Sequence, residues 1–227
     1  MLKGWKINSI LTLQTAQPWN VSDYSGSGIS YSGAGDKADR WDLFGTPNDF
    51  KSGPNSIPFC TGFTAGQGLN GVNCSVTSGI SGIQTNLPVS LANACLAKAP
   101  DPTTLATGGC YVSGKSVITP PAMGTFGTMG RNIFRDNGFK NVDLSLFKDF
   151  KFKERFNAQF RIEVFNVLNH PLSANPWGSQ AGVRQGIQLD RGTSFGCGCS
   201  TPDVATGNPL IGSGGARDMQ IGLKLTF

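Results

Sequence analysis

Two glycine-rich patterns in the sequence have the spacing of motifs that carry enzyme chemistry. Residues 66–71 (GQGLNG) match the turn that binds dinucleotide phosphates, and residues 192–196 (GTSFG) match the nucleophile turn of α/β-hydrolases. The first pattern lacks the preceding strand and following helix that such a turn needs. The single histidine, His170, precedes Ser194, whereas hydrolases of that class place it afterwards. We therefore predict that the chain is not an enzyme and binds no cofactor.

Three aspartates have side chains suited to calcium. Asp36, Asp39 and Asp42 recur at every third position of a glycine-rich segment, and carboxylate oxygens are ligands that calcium prefers. The spacing is not that of an EF-hand, and solvated loop charges are the favoured interpretation. A single histidine also excludes the usual histidine-rich catalytic zinc site. The sequence therefore predicts no metal site.

The six cysteines suggest disulfides. An even number of cysteines in loops is typical of an oxidising compartment, and no Cys-x-x-Cys pairs point to a metal site. The local pairings Cys60–Cys74 and Cys95–Cys110 are favoured, and each loop of about 15 residues would contribute roughly 3 kcal/mol in the chain-entropy model. Cys197 and Cys199 flank one glycine and could pair with each other only under strain, so one or both are expected to bridge elsewhere.

Four segments alternate apolar and polar residues with the period of a β-strand. The last residues show this best: Met219, Ile221, Leu223, Leu225 and Phe227 share one face of residues 217–227. Tilted near 45°, eleven such residues rise roughly 26 Å, the height of the apolar band of an outer-membrane barrel. The other segments lie near 4–14, 140–152 and 156–166. The sequence thus predicts an all-β chain in which an antiparallel meander forms the C-terminal part of a transmembrane β-barrel.

The two central segments form a predicted hairpin whose loop has an odd number of residues. Both carry apolar residues at even positions, so only an odd loop puts them on one face. A five-residue loop with Phe150 opposite Phe156 is preferred, and a three-residue loop with Phe152 opposite Phe156 is the alternative. A connection this short is typical of a periplasmic turn. Aromatic residues cluster at this end, where a membrane-interface girdle is expected: Phe147, Phe150, Phe152, Phe156 and Phe227.

Composition agrees with strands joined by long loops. The chain has 31 glycines, 13 prolines and 15% charged residues, and its net charge of +5 is scattered, so no nucleic-acid partner is predicted. No apolar run is long enough for a membrane helix. Residues 15–139 and 167–216 are predicted to be long extracellular loops with turns and short irregular strands. One short helix, residues 90–98 with Ser90 as its N-cap, is expected within the first loop.

Several stretches resemble the C-terminal region of the Oar-like TonB-dependent receptors. These are residues 4–18 (GWKINSILTLQTAQP), 39–47 (DRWDLFGTP), 126–150 (FGTMGRNIFRDNGFKNVDLSLFKDF), 155–171 (RFNAQFRIEVFNVLNHP) and the terminal strand, about half of the chain in the family's order. The resemblance implies a barrel of about 22 strands plugged by an N-terminal domain. It also implies uptake of a ligand, energised by the inner-membrane TonB complex.

The chain departs from that family pattern in ways that suggest a fragment. No plug, no TonB-contacting segment and no export signal are visible, and four strands cannot close a barrel. We therefore expect the C-terminal fragment of a receptor in the outer membrane. Its expected partners are lipid, the remaining barrel and plug, and TonB through the missing N-terminal part. Long loops would be extracellular and the C-terminus periplasmic.

The terminal strand also resembles the signal read by the barrel-assembly machinery. Ile221, Leu223, Leu225 and Phe227 would carry this signal by adding as a strand to an exposed edge of the machinery. The simpler explanation is that a final strand needs a lipid face, and the two are compatible. The alternative function is a secreted or surface binding module, β-rich and stapled by disulfides, with no transport activity.

Overall fold

The structure is a computed structural model that describes residues 3–19, 30–35, 39–77, 84–152, 156–173, 195–197 and 214–227. The chain divides into two compact units. We call Met1–Thr15, Gly138–Leu172 and Thr201–Phe227 the sheet unit, and Ala16–Asn137 with Ser173–Ser200 the inserted unit. In chain order the described elements are β1 Trp5–Gln14, β2 Pro18–Trp19, β3 Asp42–Phe44, β4 Phe59–Thr61, β5 Asn73–Thr77, β6 Gln84–Leu87, α1 Asn93–Lys98, α2 Pro102–Gly108, β7 Cys110–Ser113, β8 Ser116–Thr119, β9 Phe134–Arg135, β10 Phe139–Phe152, β11 Phe156–Phe165 and β12 Asp218–Thr226.

The sheet unit is a four-stranded antiparallel sheet in the order β1-β10-β11-β12. Its strands begin and end within one residue of the segments marked by alternation in the sequence. Alternation locates them well because each strand is long and has two chemically different faces. The described residues therefore confirm the all-β, antiparallel fold class.

The register of the β10–β11 hairpin differs from the preferred prediction. Phe152 lies opposite Phe156, which leaves three residues between the paired strands rather than five. Both loops contain an odd number of residues, so the alternation of apolar and polar residues could not decide between them. The observed register lengthens the ladder and places Gln159 opposite Asp149, where the Gln159 Nε2 donates a hydrogen bond of 2.8 Å to the Asp149 Oδ1. The loop residues 153–155 lie outside the described part.

The inserted unit contains a six-stranded sheet in the order β3-β8-β7-β4-β5-β6, together with the two-stranded pair β2-β9. Both faces of the larger sheet are covered. One face carries an aromatic core that is buried: Trp19, Tyr31, Trp41, Phe50, Ile57, Phe59, Tyr111, Ile118, Met129, Phe134 and Phe195. The other face carries a second core, rich in cysteine: Cys60, Phe63, Val72, Cys74, Ala92, Cys95, Leu105, Cys110, Val112 and Val117.

Residues 15–139, predicted to be a long loop with turns and short irregular strands, thus contain a folded sheet that the sequence did not predict. The strands of the larger sheet are only 3–5 residues long, which is too short for a period of two to stand out. A sheet that is buried on both faces also has no polar side to alternate with. The high content of turn-forming residues suggested loops, whereas these residues belong to a folded unit with two cores of its own.

Two disulfides lie in the second core. Cys60 and Cys74 join β4 to β5, where they are directly opposite each other, and Cys95 and Cys110 join α1 to β7. These are the local pairings favoured from the sequence. Cys197 is also disulfide-bonded and buried, while Cys199 lies outside the described residues.

The helices of this unit begin differently from the prediction. Ser90 does not cap a helix: it lies inside a 3-10 turn, Val89–Ala92, which continues into α1 with no side-chain cap. The clearer cap, which the sequence analysis missed, is Asp101 before α2. Its Oδ1 accepts a hydrogen bond of 2.8 Å from the Thr103 N–H, and this bond holds the pKa of Asp101 below its usual value. An aspartate followed by proline is a recognised start signal for a helix.

Glycine is required where α2 turns into β7. Gly109 has a φ of +73°, and a Cβ there would lie 2.6 Å from the carbonyl oxygen of Cys60. The backbone conformation and the close approach of β7 to β4 both exclude a larger side chain. The turn therefore brings Cys110 next to the β4 cysteine.

Replacing both Cys95 and Cys110 by alanine is expected to lower the free energy of unfolding of the inserted unit by about 3 kcal/mol. The bridge spans 15 residues, and a loop of about that length contributes this amount in the chain-entropy model. Urea unfolding of the full chain in detergent, followed by near-ultraviolet circular dichroism of the aromatic core, measures the change. Leu96→Ala, at an exposed position on the same helix, is the control. Equal midpoints for the double variant and the wild type would contradict the prediction.

Candidate lipid-facing surface

One face of the sheet unit is apolar across all four strands. A central row shows the pattern: Ile7, Leu146, Ile162 and Ile221 lie opposite one another from β1 to β12. Adjacent rows continue it with Leu144, Val164 and Met219, and with Phe160 and Leu223. We call this face, formed by odd-numbered residues of β1 and β12 and even-numbered residues of β10 and β11, the apolar face.

The apolar face is exposed rather than covered by a second layer. Ile221 and Leu223 are 63% and 66% exposed, and Ile7 is 70% exposed. A sheet of a water-soluble protein buries its apolar face against another layer, because exposed apolar area costs about 25 cal/mol per Å². An apolar surface that spans four strands of this length is instead suited to contact with lipid.

The opposite face is mainly polar and carries its own network of side chains. The Lys6 Nζ lies 2.9 Å from the Asp149 Oδ2, and Asp149 also accepts the hydrogen bond from Gln159. The Arg161 Nε lies 3.1 Å from the Glu163 Oε2. Four charged groups on this face thus pair within the sheet, which is an arrangement expected of a barrel wall that faces its interior.

Aromatic side chains mark the hairpin end of the apolar face. The rings of Phe156 and Phe227 are 6.2 Å apart, and those of Phe150 and Phe152 are 6.5 Å apart. Aromatic residues at this level are typical of the boundary between lipid and water. Phe147 was predicted to join them, but its odd position in β10 places it on the polar face, opposite Arg161.

The height of the apolar face matches a membrane. On β10 the apolar positions run from Val142 to Phe152, and this distance is about 33 Å along a strand at 3.3 Å per residue. At a tilt near 45° the rise is about 24 Å, close to the apolar band of an outer-membrane barrel.

The sheet has open edges within the described residues. β1 and β12 each pair with a neighbour on one side only. A backbone N–H or C=O left without a partner in lipid costs several kcal/mol, so a sheet at this depth is stable only when its edges pair with further strands. The four strands are therefore one arc of a barrel wall.

The residues assigned to barrel assembly lie together on the last strand. Ile221, Leu223 and Leu225 share the apolar face of β12, and each of the three side chains is more than half exposed. Phe227 follows the strand and is 89% exposed. The four residues therefore form one continuous exposed stripe.

One lysine of β10 interrupts the apolar alternation of this face. Lys148 lies on this face, with its Nζ 4.9 Å from the centroid of the Trp5 ring and 5.5 Å from that of Phe150. Trp5 lies directly opposite Lys148 on β1. The sequence shows that Phe150 lies two residues from Lys148. The contact between Lys148 and Trp5 could not be predicted from the sequence, because it depends on the pairing of two strands across 143 positions.

The residues that the structure describes do not form the other candidate sites. Residues 66–71 form turns between β4 and β5, Ser194 lies outside the described part, and His170 is exposed beyond β11. Among the described residues, no group of three or more His, Cys, Asp or Glu side chains is placed to hold a metal ion. The described helices are also too short or too polar to cross a membrane.

The aspartates of the calcium candidate are structural. Asp39 accepts hydrogen bonds from the Ser32 N–H at 3.0 Å, the Ser32 Oγ at 2.8 Å and the Ser30 Oγ at 3.1 Å. Asp42 accepts one of 2.8 Å from the Thr128 N–H. Both aspartates are buried, so their interpretation as solvated loop charges is wrong. Asp36 lies outside the described residues.

Ile221→Arg is expected to destabilise the sheet unit in a bilayer by about 2–4 kcal/mol, the cost of a cation near the middle of a lipid-facing strand. Gln220→Arg, one residue away on the polar face, is the matched control and is expected to have little effect. Urea unfolding of the longer protein expected from the sequence, in which further strands pair with the edges of this sheet, compares the two variants in lipid vesicles through their resistance to SDS. Equal destabilisation by both would show that the apolar face does not contact lipid.

The comparison with known families agrees with this geometry. Residues 1–220 match a family described as outer membrane beta barrel domain. No curated protein matches the chain. No solved structure matches it either. Because the family match extends over almost all of the sequence and the apolar face has the exposure and height of a barrel wall, the chain belongs to the outer membrane beta barrel domain family.

Proposed function

We propose that the chain is the C-terminal part of a TonB-dependent receptor that takes up a ligand across the outer membrane. The observation that carries the proposal is a four-stranded sheet with an exposed apolar face, together with a folded unit whose larger part, Ala16–Asn137, lies between β1 and β10 in the sequence. The resemblance to Oar-like receptors in residues 126–150 and 155–171 supports it. These residues form most of β10 and β11 and the segment leading into them.

The topology supports an orientation. Gln14, at the end of β1, lies opposite Phe139, at the start of β10, so the chain leaves and re-enters the sheet at one end. The β10–β11 hairpin lies at the other end. Barrels of this kind have short periplasmic turns and long extracellular loops. We therefore place the inserted unit outside the cell, and the hairpin and the C-terminus in the periplasm.

An extracellular position suits the construction of the inserted unit. Its two described disulfides persist in an oxidising environment, and its two cores give the unit a defined surface without help from lipid. A rigid unit can present ligand contacts with little loss of conformational entropy on binding. We propose that this unit makes contacts with the ligand before uptake.

Energy for uptake would reach the receptor through a part that precedes these strands. In the proposed receptor a plug domain fills the barrel and contacts the inner-membrane TonB complex, while the present strands supply the wall. The polar face, with its ion pairs Lys6–Asp149 and Arg161–Glu163, would line the interior. The proposed partners are thus lipid, the remaining barrel and plug, the barrel-assembly machinery and TonB.

A binding experiment tests the transport proposal. The genomic reading frame upstream of Met1 is expected to encode a plug and further barrel strands. The longer protein purified from the outer membrane should bind the periplasmic domain of TonB from the same organism, whereas residues 1–227 alone should not. A stop codon together with a secretion signal immediately upstream of Met1 would contradict the proposal, as would a longer protein that does not bind TonB.

Phe227 is proposed to act in the recognition of the chain by the barrel-assembly machinery. Phe227→Ala is expected to reduce the amount of folded protein in the outer membrane several-fold, because the machinery reads an aromatic final residue on the exposed stripe. Thr226→Ala, on the other face of β12, is the control. Immunoblotting of outer-membrane fractions measures both variants. If refolding into vesicles without the machinery is impaired equally, Phe227 acts in stability and not in recognition.

A binding module without transport activity is the second candidate. The observation in its favour is the inserted unit, whose disulfides and buried cores resemble those of small secreted domains. This alternative requires the apolar face to be covered in solution. A full chain that stays soluble and monomeric without detergent would support the module and count against the receptor.

A further inference from the structure

Two lysines lie on the apolar face: Lys140, opposite Leu13 near the end of β1, and Lys148, near the point where β1 begins. Lys148 occupies an even position of β10, so it shares this face with Leu146 and Phe150. It lies opposite Trp5, the first residue of β1, and opposite Phe160 on its other side. Lys148 is therefore at the end of the β1–β10 ladder, surrounded by apolar side chains.

The Lys148 side chain turns toward the hairpin end of the sheet. Its Nζ donates a hydrogen bond of 2.8 Å to the carbonyl oxygen of Lys3, which precedes β1. The ammonium also lies near the faces of Trp5 and Phe150, and these two rings are 49% and 43% exposed. Long cationic side chains in lipid reach in this way for the polar boundary of the bilayer, where tryptophan is also enriched.

The described residues of the apolar face supply no negative charge for this ammonium. Among the described residues of the apolar face, none is an aspartate or a glutamate. The neighbouring Asp149 lies on the polar face and pairs with Lys6. An ammonium has three N–H donors, and the Lys3 carbonyl accepts one of them. The remaining donors face a medium that, at this boundary, offers phosphate oxygens.

We propose that Lys148, Trp5 and Phe150 form a binding site for the phosphate of one phospholipid headgroup. The ammonium pairs with a phosphate oxygen, and the two exposed rings contact the glycerol and the upper part of the acyl chains. The headgroup thus compensates a charge that would otherwise be costly next to lipid. The inference rests on the apolar face contacting lipid and does not depend on ligand uptake or TonB.

Retention of lipid by the purified full chain tests the proposal. The protein is exchanged into detergent that contains either phosphatidylglycerol or a diacylglycerol with the same acyl chains, and native mass spectrometry counts the bound lipids. The wild type is expected to retain phosphatidylglycerol in preference to diacylglycerol. Lys148→Met should lower that preference about fivefold, the effect of one cation near an anionic surface. Lys148→Arg should preserve it.

Two controls separate this site from general charge and from folding. Lys151→Met removes a cation three residues away on the polar face and should leave lipid retention unchanged. The thermal unfolding midpoint should rise on addition of phosphatidylglycerol for the wild type and for Lys148→Arg, but not for Lys148→Met. Methionine is compatible with lipid, so Lys148→Met is expected to fold.

Three results would overturn the proposal. The first is equal retention of phosphatidylglycerol by Lys148→Met and the wild type, and the second is an equal loss in Lys151→Met. The third is displacement of the lipid by excess inorganic phosphate, which would indicate a site for a soluble anion. Absence of TonB binding by the longer protein would contradict the proposed receptor and leave the lipid site standing.

Discussion

Within lipid, every backbone N–H and C=O must find its partner in the protein, and this constraint determines the sheet unit. Long antiparallel ladders satisfy these groups strand by strand, so each strand has to run across the whole apolar layer without a break. Once the backbone is committed to the ladder, successive side chains must point to opposite faces. The apolar row through Ile7, Leu146, Ile162 and Ile221 and the ion pairs on the opposite face are both consequences of that geometry.

The inserted unit meets a different constraint. Its apolar side chains are buried by its own residues, on both faces of its sheet. Phe59, Tyr111 and Ile118 belong to the aromatic core. Their neighbours Cys60, Val112 and Val117 belong to the second core, which contains the two disulfides. Strands of three to five residues form few hydrogen bonds with their neighbours. The disulfides Cys60–Cys74 and Cys95–Cys110 add stability because they restrict the conformations of the unfolded chain. The same polypeptide therefore contains two sheets that are stabilised by different means.

The cluster around Lys148 shows how two neighbouring strands contribute to one set of contacts that neither could make alone. β10 contributes the ammonium and the Phe150 ring, while β1 contributes Trp5 and the carbonyl of Lys3 that precedes it. A cation on a lipid-facing strand is tolerated only near the boundary, where its charge finds a polar partner. The position of Trp5 at the start of β1 satisfies that condition. In the same way, the contact between Phe156 and Phe227 requires the pairing of β11 with β12 as well as composition.

The sequence by itself determined the four long strands, their two faces and the all-β class. Alternation over ten or more residues has one structural explanation, whereas six cysteines allow many connectivities, among which the sequence only favoured the local ones. Tertiary structure alone decided the hairpin register, the folded sheet within residues 16–137, the burial of Asp39 and the approach of Lys148 to Trp5. A shift of two residues between paired strands keeps the same side chains on each face, so the alternation leaves the register undecided. Short strands that are buried on both faces show no alternation of apolar and polar residues. Contacts between residues more than a hundred positions apart depend on the pairing of whole strands, which no local pattern encodes.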